Sequence, residues 1–419
     1  MKLLKHPIKE EYSITLPSSK SISNRLLVIK HLSKSNQPII NLSDSEDTCI
    51  LLKALESIEN KDFNKENINQ NNTFYCKNAG TSTRFLIALL AMTEGDWVVD
   101  TDKRMNERPI LPLIEALILL GAEIKTSENN IFPIQIKGKQ LSANNDIISF
   151  NSQTSQIISA LVLISPYIKG TTKIKIPENQ NSLPYIDMTI SLVNRFGGRV
   201  EKEGNLLICR ESKYKFSSCR VEDDYSALCF ILCFVCVGKL KNVKIKPLQT
   251  NTLQGDIRAI DMFKKFGLFV SYSYDYTILS YSLDKEENTE NLVFDLKDTP
   301  DIFLPLAVAS YISGKRIIFK NLSNLRVKES NRLENTMIEL NKLGERCKVV
   351  ADSFIIEKGE INAKQRVSFR VYDDHRMAMA LSSISLICKE VEIDNIDCVT
   401  KSWKNFWEDI KDFITLKTR

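Results

Sequence analysis

The sequence predicts a mixed α/β fold assembled from repeats, and three observations carry that expectation. Amphipathic helical segments end in a large apolar residue and a glycine, then run into a short strand. The pattern recurs at a near-constant spacing, and strands are written both before and after the helices. The clearest copies are "LIEALILLGAEIK", "ISLVNRFGGRVE", "IDMFKKFGLFVS" and "MIELNKLGERCK", with glycines at 121, 197, 267 and 344. Glycine suits the end of a helix because the left-handed conformation costs it little. A weaker copy, "LLKALESIENKDF" (51–63), lacks the glycine, and "FWEDIKDFITL" (406–416) fits the helix of a last copy. Six units of about 70 residues would fill the chain. Strands flanking the helices exclude a purely helical solenoid.

Size and composition narrow the class. A chain of 419 residues exceeds one ordinary core, so two or more domains are expected. Apolar content of 43% and charged content of 26% are those of a globular protein rather than a disordered one. A net charge of +5 over 57 basic and 52 acidic residues is mild. It suits a small anionic substrate and is too weak to point to nucleic acid. No window reaches the ~18 apolar residues of a membrane span. The most apolar run, "ALCFILCFVCVG" (227–238), is too short and reads as a buried element. The N-terminal "MKLLKHPIKEEYS" has no apolar signal core, and a polar motif from residue 18 leaves no room for a transit peptide. A cytoplasmic location is the expectation. The ten cysteines are scattered, and the CxxC of Cys233 and Cys236 lies inside the apolar run, so buried small hydrophobes are expected. With three histidines in the chain, a His-based metal site is not expected.

The polar clusters sit at the starts of predicted helices. "SSKSISNR" (18–25) brings Lys20, Ser21 and Arg25 to the head of "LLVIKHL", and "KNAGTSTRF" (77–85) puts Gly80 and Thr81 before "LIALLAM". Thr154, Ser155 and Gln156 precede an apolar helix, and Ser182 precedes "LPYIDMTISLV". Singly, each is an N-cap. Four together, two of them carrying Lys or Arg, point to anion-binding helix ends, where free N–H groups and the dipole favour negative charge. No Walker A loop occurs. Later in the chain, "NLRVKESNRLENT" (324–336) carries Arg326, Lys328, Glu329 and Arg332, and "YDDHRMAMALS" carries Asp374, His375 and Arg376. "RMNERP" adds Arg104 and Arg108, and "TKSW" adds Lys401. A solvated helix face would show acid–base pairs at i,i+4, whereas these clusters sit at element starts. Arginines with interspersed acids suit two anionic groups and proton transfer between them.

The segments "SKSISNR", "NAGTSTR", "RMNERPI", "TSQ", "SLPYIDMT", "LQGDIRAID", "PD" (300–301), "RVKESNRL", "DDHRMAMA" and "TKSW" occur in this order. With them the chain resembles the 5-enolpyruvylshikimate-3-phosphate synthase family along nearly its whole length. The resemblance implies an α/β fold of two domains forming an inside-out α/β barrel, with six βαβαββ repeats, three per domain. One domain would span 19–222, and the other 1–18 with 223–419. It implies transfer of the enolpyruvyl group of phosphoenolpyruvate to the 5-hydroxyl of shikimate 3-phosphate, in an interdomain cleft. No cofactor and no metal are implied, the protein being a monomer without nucleic-acid or membrane partners.

Roles follow from the same resemblance. Ser21 and Arg25 would take the shikimate carboxylate, and Thr154, Ser155, Ser182 and Lys328 its phosphate. Gln156, Tyr185 and Asn324 would line the ring. Lys20, the Gly80 N–H, Arg104 and Lys401 would hold the phosphoenolpyruvate phosphate, with Gln156 nearby, and Arg332 and Arg376 its carboxylate. Asp301 would take the hydroxyl proton, Glu329 would serve C3, Lys20 would assist, and His375 would either act or orient Glu329. Bare basic faces on each domain would repel until substrate arrives. Family members commonly carry Gly at positions 18 and 223, Ser at 154, Asp at 331 and Pro at 85, where this chain has Ser18, Asp223, Thr154, Asn331 and Phe85. The rival readings are the sister transferase acting on UDP-N-acetylglucosamine and a non-catalytic anion-binding relative. The first uses a loop cysteine, and none lies near Arg104 here.

Overall fold

The computed structural model describes residues 1–6, 9–60, 72–127, 130–144, 146–150, 154–286, 289, 291–361 and 366–417. The chain divides into two compact units, one of Ser19–Val221 and one of Met1–Ser18 with Glu222–Arg419. Glu222, expected in the first domain, groups instead with the second unit. Its carboxylate accepts hydrogen bonds from Thr252 Oγ1 at 2.5 Å and Gln254 Nε2 at 3.0 Å, both in that unit.

Each unit contains three sheets among the described residues, and five of the six repeat one plan. A parallel pair comes first, its second strand pairs antiparallel with a third and that one with a fourth. In three of these sheets a helix joins the parallel pair and a hairpin supplies the last two strands. In the first unit, Thr73–Tyr75 runs parallel to Gly95–Asp100, which pairs antiparallel with Ile134–Gly138, itself paired with Glu123–Lys125. Helix Gly80–Met92 makes the crossover between the parallel strands, and Leu111–Leu119 leads into the hairpin. Ile147–Ile148, Thr171–Lys175, Leu206–Arg210 and Arg199–Glu203 repeat the plan. The third sheet of this unit has two described strands, Ile39–Ile40 and Cys219–Arg220, in parallel.

The second unit has three complete sheets. In one, Asn291–Asp295 lies parallel to Arg316–Lys320, followed by Ser353–Ile356 and Cys347–Val350. In another, Arg366–Phe369 and Glu390–Ile393 are completed by Lys2–Lys5, from the opposite end of the chain, and Ile414–Lys417. In the third, Tyr12–Ser13 lies parallel to Val243–Ile245, beside Thr277–Glu286 and Phe266–Tyr272.

Burial follows the sequence pattern. Tyr225–Gly238 and Phe303–Ser313, apolar nearly all round, pack on each other at the centre of the second unit's core. Gly80–Met92 and Ser155–Ile164 do the same in the first. All ten cysteines are unpaired thiols, and Cys233 and Cys236 are buried in the first of these helices, as expected for small hydrophobes. The repeat glycines 121, 197, 267 and 344 all have positive φ. Gly121 and Gly197 directly follow the helix caps Leu120 and Phe196, whereas Gly267 falls at an irregularity of its strand. The last copy is shorter than expected. Its helix covers only Phe406–Asp409, and the strand follows at Ile414. Residues 61–63 of the weak copy lie outside the described residues.

Gly138 marks a tight junction. It faces Gly95 across the strand pair, and a Cβ there would sit 1.7 Å from the Thr93 carbonyl oxygen and 2.4 Å from that of Leu90. Both are backbone atoms at the end of helix Gly80–Met92, so nothing flexible can give way. Gly138→Ala should lower stability by about 3 kcal/mol or more. The check is a urea titration followed by circular dichroism; an unchanged midpoint would contradict the packing.

Candidate active site

In the Ser19–Val221 unit, the helix starts expected to bind anions are built from buried polar groups. Helix Lys20–Ser33 is capped by Ser19, whose side chain accepts from the Ile22 N–H at 3.5 Å. The helices starting at Gly80, Ser155 and Leu183 have no such side-chain cap, so the bland N-cap reading holds for the first cluster only. Ser182 precedes its helix in the left-handed region, at φ 60°, an uncommon conformation for a residue with a side chain. Such outliers concentrate at ligand clamps.

Arg25 is buried and, among the described residues, held without a carboxylate. Its Nε donates to Thr189 Oγ1 at 2.7 Å, and its terminal nitrogens donate to the Ser21 and Tyr185 carbonyls and to Ser159 Oγ. The guanidinium also lies 5.5 Å from the Phe85 ring centroid and 6.0 Å from that of Tyr185. Phe85 therefore forms one wall of the Arg25 niche. Burial pushes the Arg25 pKa down to about 10, partly offset by Tyr185. It remains a cation at neutral pH. Lys20, by contrast, is paired: Nζ donates to the buried Asp47 at 2.9 Å.

Around Gly80 the arginines differ from expectation. Arg104 is part of the 3₁₀ turn Lys103–Glu107 and is partly exposed, ion-paired with Glu107. Arg108, one turn further on, is buried, donates to Asn78 Oδ1 at 2.9 Å and packs directly on Gly80. A Cβ on Gly80 would lie 2.4 Å from its Nη2. The structure thus packs Arg108 on this helix start, while Arg104 is partly exposed beside Glu107. Arg84 is also buried; it donates to the Gly80 carbonyl at 2.8 Å and to Gln156 Oε1 at 2.9 Å. Gln156 in turn donates to Thr81 Oγ1 at 3.0 Å, so Gly80, Thr81, Arg84 and Gln156 form one network.

The second unit gathers Asp301, Lys328, Glu329, Arg332, Asp374 and Arg376. Asp301 lies 3.5 Å from Lys328 Nζ, 3.2 Å from Arg332 and 3.3 Å from Arg376. Burial disfavours its charge, but Arg376, Lys328 and Arg332 together outweigh that and hold the carboxyl well below its usual range. Arg332 also donates to Glu329 at 2.8 Å and to Asp374 through Nε at 2.8 Å and Nη2 at 3.2 Å. Lys328 is shifted down by burial, against the pull of Asp301. His375 is buried with Nδ1 3.7 Å from Asp374, and Lys401 is buried at the end of the turn Asp397–Lys401, which packs on helix His375–Ser382. Asn324 keeps a buried Oδ1 without a hydrogen-bond partner among the described residues.

In the second unit the cationic cluster is largely compensated by carboxylates, not bare as the sequence suggested, and in the first Lys20 is paired with Asp47 whereas Arg25 is held by neutral oxygens. Two carboxylates escaped the sequence reading of roles. Asp374 was visible as the residue before an apolar helix, and Asp256 only as part of "LQGDIRAID". Among the described residues no group of three or more His, Cys, Asp and Glu is placed to hold a metal ion, and no helix is long and apolar enough to cross a membrane.

This is a two-unit α/β fold with buried cations and carboxylates at loops and helix starts, the equipment of a group transferase for anionic substrates. The sequence profile of EPSP synthase (3-phosphoshikimate 1-carboxyvinyltransferase) matches residues 6–410. A Bacteroides fragilis 3-phosphoshikimate 1-carboxyvinyltransferase is 32% identical over 98% of this chain and 97% of its own. Its Haemophilus influenzae counterpart is 30% identical over 96% of each. The solved structure of EPSP synthase from Acinetobacter baumannii superposes with a TM-score of 0.74 at 20% identity, covering 100% of this chain and 99% of that one. The chain belongs to the EPSP synthase family.

Asp256 gives the cluster a measurable signature. Burial and the nearby charge of Asp301 push its pKa up to about 6 from 3.8, against the hydrogen bond from Ser226. A raised carboxyl pKa means that the folded state binds the proton more tightly than the unfolded one. This contribution is most favourable at low pH and is lost as pH rises from about 4 through 6. Asp301, shifted downward, acts below that window. Asp256→Asn should therefore gain stability over wild type as pH rises from 4 to 7, by up to about 3 kcal/mol. Thermal midpoints across that range check this; a constant difference would refute it.

Proposed function

We infer that this chain transfers the enolpyruvyl group of phosphoenolpyruvate to the 5-hydroxyl of 3-phosphoshikimate, releasing phosphate, in the shikimate pathway to aromatic amino acids. Membership of the family supports the reaction and the enzyme class. The structural observation that carries the reading is the pair of carboxylates, Asp301 and Glu329, held on one guanidinium, Arg332. Addition followed by elimination needs two such groups, one to take the hydroxyl proton and one to serve C3.

Roles are assigned by chemistry. Arg25, a buried cation held by hydroxyl and carbonyl oxygens, takes the acceptor's carboxylate together with Ser21. Thr154, Ser155 and Ser182 at helix starts, and Lys328, take its phosphate. Gln156, Tyr185 and Asn324 contact the ring; the unmet Asn324 Oδ1 suits a hydroxyl donor. Lys20, the Gly80 N–H, Arg108 and Lys401 take the phosphoenolpyruvate phosphate, Arg108 replacing Arg104 in that role. Arg332 and Arg376 take its carboxylate. Asp301 is held ionised, the form that accepts a proton, though three cations suppress its basicity. Glu329 acts at C3, Lys20 assists, and His375 orients through Asp374. The enzyme acts as a cytoplasmic monomer.

Phosphate release with phosphoenolpyruvate and either 3-phosphoshikimate or UDP-N-acetylglucosamine tests the function. Release with the first acceptor only is expected, and release with the second only overturns the reading. Arg108→Ala should raise the KM for phosphoenolpyruvate at least tenfold, whereas Arg104→Ala should change it by less than about threefold. Asp301→Asn and Glu329→Gln should each cost about 10²–10⁴-fold in kcat. In deuterated water, Glu329→Gln should suppress exchange of the phosphoenolpyruvate methylene protons more than Asp301→Asn does. Equal exchange in the two would put the C3 proton on another residue.

A further inference from the structure

We propose that Asp374 is the positioning residue of the carboxylate subsite, gripping one edge of Arg332 while Glu329 and Asp301 occupy the other until a substrate carboxylate displaces them. The proposal rests on the reading of Arg332 as the cation for the phosphoenolpyruvate carboxylate.

A guanidinium offers two edges for two-point bonding, Nε with Nη2 and Nη1 with Nη2. Asp374 takes the first, at 2.8 and 3.2 Å. It is fully buried, and the same carboxylate accepts from Ser330 Oγ at 3.0 Å and from the Arg376 N–H at 3.0 Å, capping helix His375–Ser382. Moving it would break a helix start and two side-chain contacts together. This grip is permanent.

The second edge is held differently. Nη2 donates to Glu329 at 2.8 Å and Nη1 to Asp301 at 3.2 Å, so two separate carboxylates supply one oxygen each. Both are less deeply buried than Asp374, with side chains 11% and 14% exposed. A single substrate carboxylate satisfies both N–H groups in parallel, the stronger arrangement. It cannot simply join the group, because a fourth carboxylate around one guanidinium would meet repulsion in a poorly screened site. It has to replace one or both occupants. Glu329, turned off its cation and left beside a new anion, then holds a proton more readily, as a donor to C3 must. Asp301 keeps Lys328 and Arg376 but loses one of three cations, and becomes a better base. Seating the substrate thus arms the two groups that act on it.

The test reads the sign of an affinity change. The probe is 2-phospholactate, the saturated analogue of phosphoenolpyruvate, titrated calorimetrically into enzyme saturated with 3-phosphoshikimate. Glu329→Gln removes a charged competitor and should tighten binding several-fold. Asp374→Asn removes the grip and should weaken it about tenfold or more, raising the KM for phosphoenolpyruvate while 3-phosphoshikimate affinity stays within about twofold. Weaker binding in Glu329→Gln would mean that Glu329 anchors Arg332, and overturns the exchange. So does unchanged affinity in Asp374→Asn. Should Asp374→Asn fail to fold, the sign in Glu329→Gln still decides. Wild-type enzyme that releases no phosphate from the two substrates overturns the functional reading instead; wild-type turnover with the wrong sign overturns only the exchange.

Discussion

Parallel pairing of the first two strands in each repeat is the constraint on which the rest depends. Parallel neighbours need a crossover, and the crossover returns the chain to the same end of the sheet. The two segments that follow these strands therefore leave from one edge, the carboxyl edge, where ligand sites of α/β sheets collect. Register keeps them together. Tyr75 faces Asp100 at the strand ends, and beyond them Cys76 still donates to the Asp100 carbonyl and Asp102 to that of Lys77. Gly80 and Arg108 lie in the two segments that follow. Asp295 likewise faces Lys320, ahead of Asp301 and of Lys328, Glu329 and Arg332. Phe369 faces Ile393, ahead of Asp374 with Arg376 and of Lys401. Ile148 faces Ile174, ahead of Thr154 and of Ser182. Residues far apart in sequence become neighbours because the backbone ladder leaves them no other place.

Bringing charges to such edges creates an electrostatic problem, and the two units meet it differently. In the second unit the cations are balanced by carboxylates, and Arg332 is driven above its usual pKa because Asp374, Glu329 and Asp301 outweigh the cost of burial. The gain from removing such a pair is commonly positive when both partners go, and strongly negative when one does. The cluster is thus kept as a whole. In the first unit Arg25 is held by hydroxyl and carbonyl oxygens that satisfy its donors but leave its charge uncompensated. A buried cation of that kind is a standing demand for an anion.

Much of this was legible in the sequence, and the limits are physical. The glycine period was legible because all four positions need a positive φ, a local requirement that suits glycine, directly after a helix cap at 121 and 197 and inside a strand at 267. Helix starts were legible for the same reason. Arg104 and Arg108 could not be separated, because both belong to "RMNERP" and only the folded chain packs Arg108 on Gly80 and pairs the partly exposed Arg104 with Glu107. Asp374 looked like a cap, which it is, yet its grip on Arg332 joins residues 42 apart in sequence. The closing strand of the last repeat, Lys2–Lys5, sits at the other end of the chain, where no periodicity search would find it.

That last displacement belongs to a general feature of the connectivity. Strand Tyr12–Ser13 pairs in one unit, while the helix that follows it, Lys20–Ser33, packs in the other; Cys219–Arg220 and Tyr225–Gly238 reverse the arrangement. Each repeat at the crossings therefore borrows its first strand from one chain segment and its first helix from another. The Ser19–Val221 unit is one contiguous stretch inserted into the other, whose sheets need both ends of the chain. The two crossing segments are tied to each other by the Ser18–Asp223 bridge and by the Asp224 N–H donating to the Pro17 carbonyl at 2.8 Å. Ser18 and Asp223, two of the positions where the family commonly has glycine, are thus direct partners. Side chains at both narrow the backbone freedom that glycine would allow, so two of this chain's five departures from the family pattern meet where the chain crosses between units.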